Sequence, residues 1–168
     1  MTTEVPNNST RLYLTPRLIT TLRKNKIGLF NYQPAYEGES AGLDLYNVSK
    51  QVVFNGVNKK DSVSNLIPTG LHVCIPQGHV GLLRERGSIV KTPLLLRAGV
   101  IDHGFTGEIF VNMINASMRP YTIEAHQKLP VQLLVVPVAN SFNLLSKREF
   151  LVTTSTSQRQ RSQLGSSD

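Results

Sequence analysis

Five short stretches of this chain hold the residues best suited to chemistry, four with a glycine or serine near a charged or amide side chain and one with an amide set in an apolar run. The sharpest runs from Ala98 to Ile109 (AGVIDHGFTGEI), where Asp102 follows near-apolar residues inside a glycine-rich hairpin. Aspartate weakens a strand, and a buried carboxylate must be compensated, so a chemical role is the simpler account. In a pocket, Asp102 would act as a general base on water. The bare backbone near Gly99 would read the edge of a planar base, and Phe105 would stack on a flat ring or sugar.

The other four stretches carry groups suited to an anion. In Arg84–Val90 (RERGSIV), the Arg86 fork followed by Gly87 and Ser88 offers side-chain and backbone donors to a phosphate. The alternative is a solvated turn of Arg84, Glu85 and Arg86. In AGLDLY, Asp44 points away from the face of Leu43 and Leu45. It is either an exposed strand-edge acid or a buried one that needs a cationic or hydrogen-bonding partner. Gln132 interrupts the otherwise apolar KLPVQL strand. The last stretch, RQRSQLGSSD from Arg159, combines arginine, glycine and hydroxyls, as a closing phosphate lid would, and as plain disorder also does.

The elements that must position these groups are short. From Leu43 onward apolar residues alternate in brief runs: Leu43/Leu45, Val52/Phe54, Leu71/Val73/Ile75, Val80/Leu82, Ile109/Val111/Met113 and Leu133/Val135. This is the pattern of an all-β barrel or sandwich. Turns are expected at Asn55-Gly56, Pro68-Thr69-Gly70, Pro76-Gln77-Gly78 and His103-Gly104. One helix is expected near the start, capped by Thr15 with Pro16 in its first position and Leu18, Ile19 and Leu22 on one face; it reads as an extension outside the core. From Thr153 the chain turns polar and small, which suits a mobile tail.

At 168 residues the chain suits one main domain. Its net charge of +7 first suggests a nucleic-acid binder, yet the excess is +4 over residues 1–27, +1 over 28–140 and +2 over 141–168. A nearly neutral middle lacks the basic stripe that a phosphate backbone requires, so no direct nucleic-acid contact is expected. No apolar run reaches a membrane span, and Met1–Thr10 lacks the regions of a signal peptide, so an intracellular, cytoplasmic setting is expected. Cys74 is the sole cysteine, and His72, His79, His103 and His126 have no metal-ligand spacing.

The order and spacing of the five stretches resemble the trimeric dUTPases. AGLDLY is similar to that family's first motif, IPTGLHVCIPQGHVG to the run into its second, RGSIV to the second itself, GVIDHGFTGEI to the third, KLPVQL to the fourth and RQRSQLGSSD to a degraded fifth. The resemblance implies a distorted jelly-roll β-barrel (β-clip) of about residues 31–152. An N-terminal extension (1–30) would precede it, and a flexible tail (153–168) would act as lid. It implies a homotrimer whose subunits share each site, hydrolysis of dUTP to dUMP and pyrophosphate, and Mg²⁺ held by the triphosphate and water with no direct protein ligand. Asp102 would activate the water that attacks the α-phosphate, and Asp44 would orient Arg86. The phosphates would be contacted by Arg86, Gly87, Ser88, Gln132, Arg159, Ser166 and Ser167. Uracil and deoxyribose would be bound by Gly99, Val100, Phe105, Ile109 and Leu164, with Phe105 where tyrosine is usual and Leu164 where an aromatic stacks. Such activity limits uracil in DNA and supplies dUMP for dTMP synthesis. The short form and altered motifs hint at a virus or phage source.

Two alternatives follow from the same residues. The related dCTP deaminases use a glutamate ten residues after the hairpin aspartate, where this chain has Asn112, which cannot shuttle a proton as a carboxylate does. A non-enzymatic regulator would keep the nucleotide pocket and bind a protein through the basic N-terminal extension.

Overall fold

A computed structural model describes residues 9–34, 39–55, 65–139 and 141–149. The chain forms strands β1 (Arg11–Leu14), β2 (Leu43–Tyr46), β3 (Gln51–Val53), β4 (Asn65–Cys74), β5 (His79–Glu85), β6 (Leu94–Arg97), β7 (Val100–Ile101), β8 (Glu108–Asn115), β9 (Tyr121–Ile123) and β10 (Lys128–Pro137), and in β3 the buried residue is Val53, with Val52 and the following Phe54 exposed. The α-helix α1 (Pro16–Lys24) lies between the first two. Two four-stranded sheets form, ordered β1-β4-β8-β6 and β2-β10-β5-β7, beside a β3-β9 ribbon. This is the all-β architecture that the alternation implies. Ile67, Leu71, Ile109, Val111 and Met113 from the first sheet and Leu45, Leu83, Leu129, Val131 and Leu133 from the second belong to one buried core. Among the described residues no helix is long and apolar enough to cross a membrane.

Three local expectations change. The helix begins as its residues dictate, with Thr15 accepting a hydrogen bond from Leu18 N (3.4 Å) and Pro16 in the first turn. It is not outside the core, however, because Leu18, Thr21 and Leu22 are fully buried. Asn25 Nδ2 donates to His126 O (2.9 Å), and Thr21 Oγ1 lies 2.8 Å from His126 Nδ1, which fastens the helix to the body. Pro68-Thr69-Gly70 is a bulge inside β4, where the register with β8 shifts between Pro68 and His72. A bulge bends one strand without ending it. Gly70 has φ +67°, and a Cβ there would run into Thr15 and Leu18, so the bulge makes room for α1. In β5 the buried face is Gly81 and Leu83, with Val80 and Leu82 only partly covered. The Pro76–Gly78 and His103-Gly104 turns form where expected, with Gly78 at φ +75° and Gly104 at φ +92°.

Two irregularities position the groups of interest. Ala98 (φ 58°) and Gly99 (φ 112°) carry the chain from β6 in one sheet to β7 in the other; β7 pairs with β5 and β8 lies in the first sheet, so the expected hairpin is instead a turn that crosses the seam between sheets. In β10 the register with β2 shifts between Lys128 and Gln132. Pro130 lies within that shift, where a missing backbone donor does least harm, and its carbonyl accepts from Arg86 N (2.9 Å). The chain divides into compact units at Val138/Ala139. In the second unit Ser146 and Glu149 cap each other reciprocally: Ser146 N donates to Glu149 Oε2 (2.8 Å) and Glu149 N to Ser146 Oγ (3.3 Å). Hydrogen bonding from Ser146, by its side chain first and its backbone N–H second, holds the Glu149 carboxyl below its usual pKa.

Candidate active site

A charged cluster is assembled on strands β2, β10 and β5. Asp44 on β2 stands opposite Gln132 on β10, and Gln132 stands opposite Arg84 on β5, so Arg86 follows just past the strand end. Asp44 lies on the less buried face, as the alternation implies, and binds two cations. Arg86 Nε lies 2.6 Å from its Oδ1 and Lys128 Nζ lies 2.8 Å from its Oδ2. Arg86 engages Asp44 through Nε, and its planar fork carries further donors on the two Nη groups that suit an anion. One carboxylate between two cations leaves the cluster a surplus positive charge.

Packing fixes the remaining members. A Cβ on Gly42 would collide with the Gln132 side-chain amide, so a bare residue there lets Gln132 lie across the start of β2. Gln132 Nε2 donates to Glu85 O (3.3 Å). Gly87 and Ser88 are exposed in a 3-10 turn, Gly87–Lys91, closed by Ile89 N donating to Arg86 O (2.9 Å). A Cβ at Gly87 would meet nothing within 4 Å, so the approach to this turn is open.

Lys128 is the residue that sequence reasoning missed. It stands inside KLPVQL four residues before Gln132, and only the β10 register shift shows that both residues flank Asp44. Burial lowers the Lys128 pKa, but the Asp44 hydrogen bond and charge, with help from Tyr46, outweigh that and raise it above the ordinary lysine value. Tyr32 supports the cluster from below, its hydroxyl donating to Asp44 O (2.8 Å). Burial pushes the Tyr32 pKa far up, so it stays a neutral donor.

The second group gathers around the β7–β8 turn at the seam. Gly99, Val100, Asp102, Phe105 and Ile109 all line one cavity of about 310 Å³, together with Asn112. Leu83 N donates to Gly99 O (2.7 Å), and a Cβ on Gly99 would lie 2.9 Å from Leu83 Cβ and 3.1 Å from Leu83 O. Only glycine accepts both that approach and a φ of +112°. Phe105 N donates to Asp102 O (3.1 Å), which closes the tip. His103 Nδ1 lies 2.9 Å from Ile75 O, anchoring the turn to the body. A Cβ on Gly107 would meet the Phe105 ring at 2.7 Å, so that ring lies over bare backbone. Phe105 is 44% exposed and Asp102 is exposed, so neither is consumed by the protein's own packing.

The chain thus brings Asp44, Arg86 and Gln132 into one cluster and Gly99, Val100, Asp102, Phe105 and Ile109 into one cavity. Arg159, Leu164, Ser166 and Ser167 lie outside the described residues, as does Gly56. Among the described residues no three His, Cys, Asp or Glu side chains converge on a metal-sized space.

Comparison with known proteins places this arrangement. The model of the dUTPase family matches residues 28–168. A deoxyuridine 5'-triphosphate nucleotidohydrolase of Wolbachia sp. subsp. Brugia malayi is 35% identical over 104 residues, covering 60% of this chain and 63% of that protein. The Clostridium kluyveri protein of the same name is 34% identical over 107 residues, 62% of this chain and 69% of its own length. The match thus spans just under two thirds of the Wolbachia relative. Among solved structures, the dUTPase of Staphylococcus bacteriophage 80alpha with dUPNHPP superposes with a TM-score of 0.71, at 22% identity over 96% of this chain and 99% of that one. An aspartate-to-asparagine mutant dUTPase from phage phi11 of S. aureus, described with a structural Mg(II) ion, gives 0.62 at 21% identity over 83% and 97%. The two sheets are therefore those of the dUTPase fold, and the chain belongs to the dUTPase family.

Proposed function

We propose that the chain hydrolyses dUTP to dUMP and pyrophosphate. The observation that carries this reading is the cavity at the sheet seam, where an unconsumed carboxylate (Asp102), an open ring (Phe105) and bare backbone (Gly99) line one space. Uracil is read by the backbone around Gly99 and Ile109, and the deoxyribose packs on Phe105 beside Val100. Asp102 orients a water and takes its proton as the oxygen attacks the α-phosphorus. A new P–O bond forms there, the α–β bridging bond breaks, and pyrophosphate leaves. Arg86, held by Asp44, stabilises the developing charge with Gln132, Ser88 and the Gly87 backbone. Arg159, Ser166 and Ser167 close from the tail, and Leu164 covers the base.

Three copies share each site in this reading, with the Asp44 cluster of one subunit meeting the cavity of another. Mg²⁺ fits without a protein cage, since Asp44 already serves two cations and a small hard cation keeps most of its ligands from phosphates and water. When bound it neutralises phosphate charge. The test is pyrophosphate release with Mg²⁺ from dUTP, dCTP, dTTP and UTP. A kcat/KM for dUTP at least ~100-fold above the others supports the reading, and equal turnover of all four contradicts it.

A second reading, regulation through a bound protein, rests on the N-terminal region, where Tyr13, Phe30, Arg11, Arg17, Arg23 and Lys24 are all exposed. It predicts nucleotide binding without turnover.

A further inference from the structure

Asn112 is the group the proposed mechanism leaves unused. It sits in the middle of β8, paired in register with Leu66 on β4 and Arg97 on β6, and all three line the seam cavity. Alternation puts Asn112 on the same side of β8 as Glu108 and Phe110, away from buried Val111 and Met113. Its side chain is part-exposed, yet Oδ1 is closed off from solvent and has no hydrogen-bond partner among the described residues. Arg97 has donors on the neighbouring strand and does not use them on it. Glu108, which shares that side, is committed to Gly70 N at 2.8 Å.

A buried acceptor without a donor destabilises the empty protein, and an apolar residue at this position would avoid that cost. The amide is therefore explained by a partner absent from the free chain. Because no bond holds Oδ1 among the described residues, rotation about χ2 can turn the amide toward the cavity. An amide donates and accepts side by side, which complements the N3–H donor and O4 acceptor of a uracil ring.

We propose that Asn112 is a base-binding residue, contributing a side-chain hydrogen-bond pair to the pyrimidine edge while the backbone around Gly99 frames the ring. The inference rests on the dUTP reading of the cavity and adds to it a side chain that fixes affinity for the base. Aspartate here would keep the shape and lose the donor, and leucine would lose both functions.

The test compares the native chain with Asn112→Leu and Asn112→Asp by steady-state turnover of dUTP, calorimetric binding of dUMP and melting of the ligand-free protein. Loss of the pair should weaken dUMP binding and raise KM for dUTP by roughly 10–100-fold, with kcat changed less than threefold. The ligand-free leucine variant should melt about 3 °C higher, an outcome that a merely structural asparagine would reverse. Less than fivefold weakening of dUMP binding overturns the proposal, as does a leucine variant that folds but melts below the native chain. If the leucine variant does not fold, the isosteric aspartate variant decides on the same fivefold threshold. A native chain that binds dUMP but does not turn over dUTP would defeat the hydrolase reading while leaving the role of Asn112 to the binding data.

Discussion

The Asp44 cluster and the seam cavity are built on opposite principles. At Asp44 each carboxylate oxygen has a cation, Tyr32 holds the backbone carbonyl beneath it, and Gln132 is bonded to Glu85 O. Its carboxylate and its Gln132 amide nitrogen are held by protein partners, so its geometry is set before any ligand arrives. In the cavity Asp102 and Phe105 are exposed and the Asn112 oxygen has no partner among the described residues. The difference teaches which side is preorganised and which is completed by what it binds. Loss of a residue from the first should disturb geometry as well as affinity, whereas loss of a side chain from the second should leave the empty fold unharmed or firmer.

Arg86→Ala tests the preorganised side most severely. It removes the fork and leaves Asp44 with Lys128 alone, and kcat/KM for dUTP should fall on the order of 10²–10³-fold in steady-state assays. A loss under tenfold would mean that the cluster is structural. Gly99→Ala should act on the cavity through backbone strain, since a Cβ there meets both Leu83 Cβ and Leu83 O at a φ of +112°. A cost of about 1–3 kcal/mol is expected in chemical denaturation, with KM raised about tenfold. Lys128→Met should have the smallest effect. A part-exposed ion pair contributes about 0.2–1 kcal/mol, so a change of that size in urea unfolding is expected. The folded-state pKa of Lys128 is raised, so its contribution is complete below the unfolded value near ~10.4 and is lost as pH rises through the folded value. The native and variant curves should therefore differ near neutral pH and converge at strongly alkaline pH.

What is legible in the sequence follows the range of the forces involved. Alternation is local, so β2, β4, β5, β8 and β10 can be read directly, and the Thr15-Pro16 helix start is a matter of a few adjacent residues. Very short strands such as β7, with two residues, carry too little pattern to be seen. The Pro68-Thr69-Gly70 signal reads as a turn because Pro and Gly mark both turns and bulges. Only the partner strand, with Thr69 Oγ1 donating to Ile109 O (2.6 Å), decides between them. The helix reads as external for a similar reason: whether Leu18 and Leu22 reach a core depends on the bulge at Gly70, which is distant in sequence. At the site, Asp44, Arg86 and Asp102 stand out as charges in apolar or glycine-rich settings. Lys128 does not, because a lysine at a strand start is ordinary until Asp44 is placed beside it. Asn112 is visible only as a residue that cannot do a carboxylate's work; that its oxygen lacks a partner is a fact of packing.

The central claim is that Asp102 generates the nucleophile in a site that hydrolyses dUTP. It is tested most directly by pyrophosphate release from dUTP with Mg²⁺, measured for the native chain and for Asp102→Asn, which keeps the shape and removes the base. Native turnover with a loss on the order of 10²–10⁴-fold in the variant, and dUMP binding retained by both, is the predicted result. Native release no greater than that of the variant would contradict the account.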